Sequence, residues 1–161
     1  MNETVNKLQL FTGLSILVMG FLFYYFFRNA ESTYFIQFFR LTQPIKETPH
    51  LLQRFGYSLP TFIHVFAFSL LTAGIMENSK KGYATICLLW FGINVFFELG
   101  QKFDRWVIQF IPDWFSDIVL LENTKNYFLN GCFDYLDLLS ITLGALLAYI
   151  FLITTQKKEE K

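Results

Sequence analysis

Four stretches of this chain are each about twenty residues long, apolar and nearly free of charge, and this pattern limits the fold more than any other feature. They run from Leu8 to Phe27, from about Ser58 to Met76, from about Tyr83 to Gly100, and from about Phe133 to Thr154. A helix of about 20 apolar residues crosses the hydrocarbon layer of a bilayer. Inside that layer the backbone must satisfy its own hydrogen bonds, which a helix does and an open strand does not. The expected fold is therefore all-α: a polytopic membrane protein, one transmembrane domain over residues 1–161, with four spanning helices.

Composition agrees. Hydrophobic residues make up 53% of the 161, aromatic residues 20%, and charged residues only 16%, against about 25% charged in soluble domains. Thirteen basic and thirteen acidic residues give no net charge, so no basic excess points to a nucleic-acid partner and none is expected. Of the two cysteines, Cys87 lies in an apolar run and Cys132 in a loop, which argues against a disulfide and offers no metal-type spacing.

The first run is longer than the ~7–15 apolar residues of a signal peptide and has no small-residue cleavage site after it, so it reads as a retained anchor. Ser58 is a candidate N-cap for the second, with Pro60 in its first turn. A short polar turn, Glu77 to Gly82, makes the second and third spans antiparallel neighbours. Lys7, Lys80, Lys81, Lys157, Lys158 and Lys161 fall in short segments on one side. Arg28, Arg40, Lys46, Arg54, Lys102, Arg105 and Lys125 are spread through two long loops on the other. Density favours the short-segment side as cytoplasmic, with both termini there. The loops, roughly residues 29–57 and 102–132, then face outward and carry short interfacial helices. One is expected over Glu31 to Leu41. The other, Trp106 to Leu121, places Trp106, Val107, Phe110, Ile111, Trp114, Phe115 and Ile118 on one stripe, split by Pro112. Such pieces lie in the headgroup plane, or form a lid over a site.

Five polar residues sit in or at the edges of the spans: His64, Glu98, Gln101, Asp134 and Asp137. An ionisable group at membrane depth is costly unless paired or wetted, and so marks a functional site. Alternating helix direction puts all five in one leaflet. Glu98 with Gln101, and Asp134 with Asp137, are three residues apart and share helix faces. The aspartates have a plain role open to them as first-turn carboxylates stabilised by the helix dipole. Glu98, at a helix C-terminus, needs a partner such as His64, Arg105 or a proton. Glu98 and His64 form the candidate catalytic acid–base pair. Gln101, Asp134, Asp137 and Arg105 complete a ligand-binding or structural polar cluster. No dedicated metal site is expected, although Asp134, Asp137 and Glu98 could serve a divalent ion, and no cofactor is indicated.

These residues resemble the VanZ-like family of small bacterial membrane proteins. In FDYLDLLSITLGALLAY, Asp134 and Asp137 match its two acids three apart, and Gly144 matches the first of its two glycines. Ile141 stands where the family has Asn, and Ala148 in place of the second glycine, keeping a small face for helix contact. Glu98 and Gln101 in NVFFELGQKF match its E-x-x-Q and His64 in FIHVFAF its histidine, while Arg105 stands for the arginine that follows, at an altered spacing. The family takes its name from resistance to a glycopeptide antibiotic and has no settled activity. The resemblance implies a multi-pass protein of the bacterial cytoplasmic membrane acting in the cell envelope.

Two functions follow as expectations. One is a polar pocket that binds or processes an envelope lipid or lipid-linked glycan, with membrane lipids as partners. The other is a non-catalytic membrane subunit or scaffold docking a larger envelope complex. Transport ranks below both, because no broken helix or inverted repeat is visible.

Overall fold

The structure is a computed structural model that describes residues 5–27, 50–76, 79–119 and 121–156. The helix expected over Glu31 to Leu41 and the tail 157–161 lie outside the described residues. Among the described residues six α-helices follow in order: α1 (Lys7–Phe27), α2 (His50–Met76), α3 (Lys80–Lys102), α4 (Asp104–Val107), α5 (Thr124–Asn130) and α6 (Tyr135–Thr154). The protein is an all-α, multi-pass membrane protein, and α1, the Ser58–Met76 part of α2, α3 and α6 are long and apolar enough to cross a bilayer.

Local chemistry sets the helix ends. Ser79 caps α3 by accepting the Gly82 N–H at 3.1 Å, so Lys80 and Lys81 belong to the first turn of the helix and not to a free turn. Asp134 caps α6, its Oδ1 accepting from the Leu136 N–H at 2.9 Å. Ser58 is not a cap. The helix starts at His50 and carries Pro60 in its interior. A proline there lacks one backbone donor and crowds the preceding turn. The Thr61 hydroxyl beside it donates back to the Ser58 carbonyl at 2.7 Å, the local bond open to a helical threonine. The 27 residues of α2 make a rod of ~40 Å, longer than the hydrocarbon layer it crosses.

α2 stands at the centre, packed against α1, α3 and α6, and α3 also meets α6. Small residues permit close approach. A Cβ on Gly13 of α1 would lie 3.0 Å from the Ala67 carbonyl oxygen, and one on Gly144 of α6 2.9 Å from that of Phe62. Ala148, one turn beyond Gly144, is fully buried, as the small-residue spacing predicts. Leu70, Ala73, Tyr83, Cys87, Ala148 and Leu152 form the core. The outer surface remains apolar, with Phe11, Met19, Leu88 and Leu146 all more than half exposed, as suits a bundle whose solvent is lipid.

α1 begins at the membrane face where α2 ends, α3 begins and α6 ends. This is the terminal face. The opposite one, the loop face, carries the segment joining α3 to α6. That segment folds as α4, a 3-10 turn at Ile108–Phe110, a second at Asp113–Asp117, and α5. Pro112 breaks it, as expected. Its apolar residues do not share one stripe. Val107 and Ile111 are buried on Phe128 of α5, while Trp106, Phe110, Trp114 and Ile118 point the other way and are exposed.

Candidate functional site

The site is built where α3 ends, α5 packs and α6 begins. Glu98, one turn from the end of α3, is only 4% exposed. A carboxylate at a helix C-terminus meets an unfavourable dipole. Its Oε1 accepts the backbone N–H of Asp134 at 2.8 Å, a charge-assisted bond to the entrance of the next helix. The amide in question would otherwise be an unmatched donor at the start of α6. Asp134 and Asp137 are the charges that act on Glu98. Asp134 has turned its side chain to its own helix, while Asp137 lies in the first turn where the dipole suits it.

α5 closes the cluster from the side. The phenol of Tyr127 is hydrogen-bonded to the side chain of Gln101, with Glu98 and Asp137 close enough to be felt. Burial, chiefly, holds this phenol above the ordinary tyrosine range. The two carboxylates push the same way, and the Gln101 contact opposes them. Two glycines allow α5 this approach. A Cβ on Gly100 would fall 2.5 Å from the Phe128 ring, and one on Gly131 2.5 Å from the Gln101 amide carbon.

His64 does not join the cluster. Gly144 rests against Phe62 and Val65, which sets His64 at about the depth of Gly144. Asp137 is seven residues nearer the loop face, ~10 Å along the helix axis. The imidazole is exposed on α2 beside Phe68, at 5.8 Å between ring centres, and Phe68 in turn stacks on Trp90 at 4.8 Å. The expected Glu98–His64 acid–base pair is therefore not formed. The cause is register: α2 and α6 run parallel, and their small-residue contact fixes the histidine one level too deep. Arg105 is also apart. It is exposed on α4, its backbone N–H donates to Asp104, and no ion pair joins it to Glu98 among the described residues. Nor do any three His, Cys, Asp or Glu among those residues stand where they could hold a metal ion, so Glu98, Asp134 and Asp137 do not make a ligand set.

A second polar knot, at the terminal face, was not anticipated. The Asn6 N–H donates to the Gly74 carbonyl at 2.7 Å and its Nδ2 to the Thr155 carbonyl at 2.8 Å, so one residue serves the carbonyls at the ends of α2 and α6. Gln9, fully buried, reaches the Tyr83 hydroxyl at 3.3 Å, the Leu152 carbonyl at 3.4 Å and Thr155 Oγ1 at 3.1 Å through its Nε2. Four helices meet there. The only sequence signal was an uncharged amide inside an apolar run.

Fold and site together define a multi-pass helical membrane protein with a buried carboxylate at an interhelical joint on one face and an amide knot on the other. In comparisons with family models, with curated proteins and with solved structures, nothing matches this chain.

Proposed function

We propose that this chain is a VanZ-like protein of the bacterial cytoplasmic membrane, with both termini in the cytoplasm, that binds the headgroup of an envelope lipid or lipid-linked glycan at the Glu98 joint. The observation that carries the reading is a nearly fully buried glutamate one turn from the end of an apolar helix, flanked by two further carboxylates and by Gln101 and Tyr127. Such a cluster favours a headgroup that donates hydrogen bonds or carries an amine. Because His64 lies deeper and apart, binding is favoured over an acid–base reaction.

The test uses the full chain in nanodiscs of mixed amine-bearing and anionic lipid. Native mass spectrometry reads which lipids stay bound to the wild type and to Glu98→Gln. Retention of the amine-bearing lipid should fall about tenfold in the variant, the scale of one charge-assisted hydrogen bond. Its thermal stability should hold, since the Gln carbonyl still accepts from Asp134. Unchanged retention with a lowered melting temperature would reject the binding site. It would favour the second reading, a non-catalytic scaffold within a larger envelope complex, which the bond from Glu98 to a backbone amide also suits.

A further inference from the structure

The segment between α3 and α6 has an inner face and an outer face, and the function proposed above uses neither the aromatic residues of the outer one nor their arrangement. Val107, Ile111 and Phe128 satisfy the inner face, with Ile108 and Phe115 packed around them. The outer face is left bare. Phe103 is 55% exposed, Trp106 61%, Phe110 66% and Trp114 55%. Trp106 and Phe110 pack edge to face with ring centres 4.8 Å apart, so they present one surface and not scattered side chains. Packing within the described chain therefore does not account for them.

Both ends of the segment are fixed to the membrane boundary. It leaves α3 at Lys102 and enters α6 after Asp134. Lys102 Nζ sits 4.7 Å from the Phe133 ring centre and 5.6 Å from that of Tyr135, itself 71% exposed. The aromatic surface is thus continuous with a cation-bearing ring cluster at the mouths of two spanning helices. Tryptophan, tyrosine and phenylalanine interleaved with lysine and arginine are the chemistry of the bilayer interface, where rings sit at headgroup level and cations meet phosphate. Asp104, Arg105, Asp113 and Asp117 prevent the segment from entering the hydrocarbon, so it can only lie along it.

We infer that residues 103–119 form an interfacial anchor whose outer face, Phe103, Trp106, Phe110 and Trp114, is seated in the headgroup layer of the same bilayer that the four helices cross. The anchor holds α5, and with it Tyr127, at a fixed height over Glu98.

The three tryptophans, Trp90, Trp106 and Trp114, make this measurable. The full chain is placed in nanodiscs whose lipids are brominated either near the headgroup or near the tail end. Two variants keep a single interfacial reporter: Trp90→Phe with Trp114→Phe, and Trp90→Phe with Trp106→Phe. In each, the shallow bromolipid should quench fluorescence about twofold more than the deep one, the pattern of a ring at headgroup level. Aqueous iodide should quench weakly. Strong iodide quenching without bromolipid quenching would place the surface in water and overturn the anchor. Quenching by neither, with cross-links between copies through this face, would assign it to a protein interface and overturn it equally. If a replacement unfolds the chain, the unsubstituted protein answers the same question, because Trp90 alone lies at mid-span and shallow quenching then reports the other two.

Discussion

Glu98 illustrates how a single residue can be both expensive and necessary. Its carboxylate is removed from water at the wrong end of a helix, and the Asp134 amide offsets this by needing an acceptor. Glu98→Ala should therefore cost about 1–3 kcal/mol in thermal unfolding, because the amide is left unmatched, while Glu98→Gln should remain close to wild type. Gly100→Val is expected to be worse than Gly100→Ala. The Phe128 ring, stacked on Phe97 and buried, has little room to retreat, and overpacking of this kind costs about 1–3 kcal/mol. Tyr127 gives a pH signature. The fold keeps its phenol protonated, so the stability this contributes is present below the range of a free tyrosine and is lost as pH rises through the raised value. The absorbance difference between wild type and Tyr127→Phe should show phenolate appearing later than in free tyrosine, and earlier when combined with Glu98→Gln. Glu98, Gln101, Asp134 and Asp137 were legible in the sequence because charge and amide stand out against apolar runs at helix spacing. Tyr127 was not, because a single aromatic in a loop of aromatics carries no period. Gln9 was not, because one uncharged amide among leucines reads as background.

At the level of elements, hydropathy located the four spans but not the start of α2. It registers where the apolar part begins, at Ser58, whereas the helix runs from His50. That difference matters for His64. The spacing along its own span puts it near the loop-face end, but Gly144 against Phe62 sets it level with the middle of α6, a register that cannot be read from either helix alone. The loop-face segment was legible as short helices broken at Pro112, and misjudged as one stripe, because two 3-10 turns change the angle between successive residues. Its inner cluster makes a testable claim. Phe128→Ala should loosen α5 by about 3–5 kcal/mol, as expected for a buried phenylalanine. Limited proteolysis in nanodiscs should then cut between residues 103 and 131 well before it touches the spans.

For the molecule as a whole, the two cysteines report the topology. Cys132 is exposed at the loop face and Cys87 is buried in the core. On the proposed orientation, with the termini in the cytoplasm, a membrane-impermeant maleimide should label one thiol on intact cells. Cys132→Ser should abolish labelling and Cys87→Ser leave it unchanged. Labelling only after the cells are opened would reverse the orientation without disturbing the bundle. The amide knot at the terminal face bears on a different matter, the order of manufacture. Gln9 is synthesised 143 residues ahead of Leu152 and 146 ahead of Thr155, two of the partners it needs. Until then its side chain lacks these two acceptors, so α1 is expected to stay incompletely packed beside the insertion machinery. A nascent chain arrested ahead of α6 should keep α1 cross-linkable to that machinery, and release of α6 should close the bundle in one step.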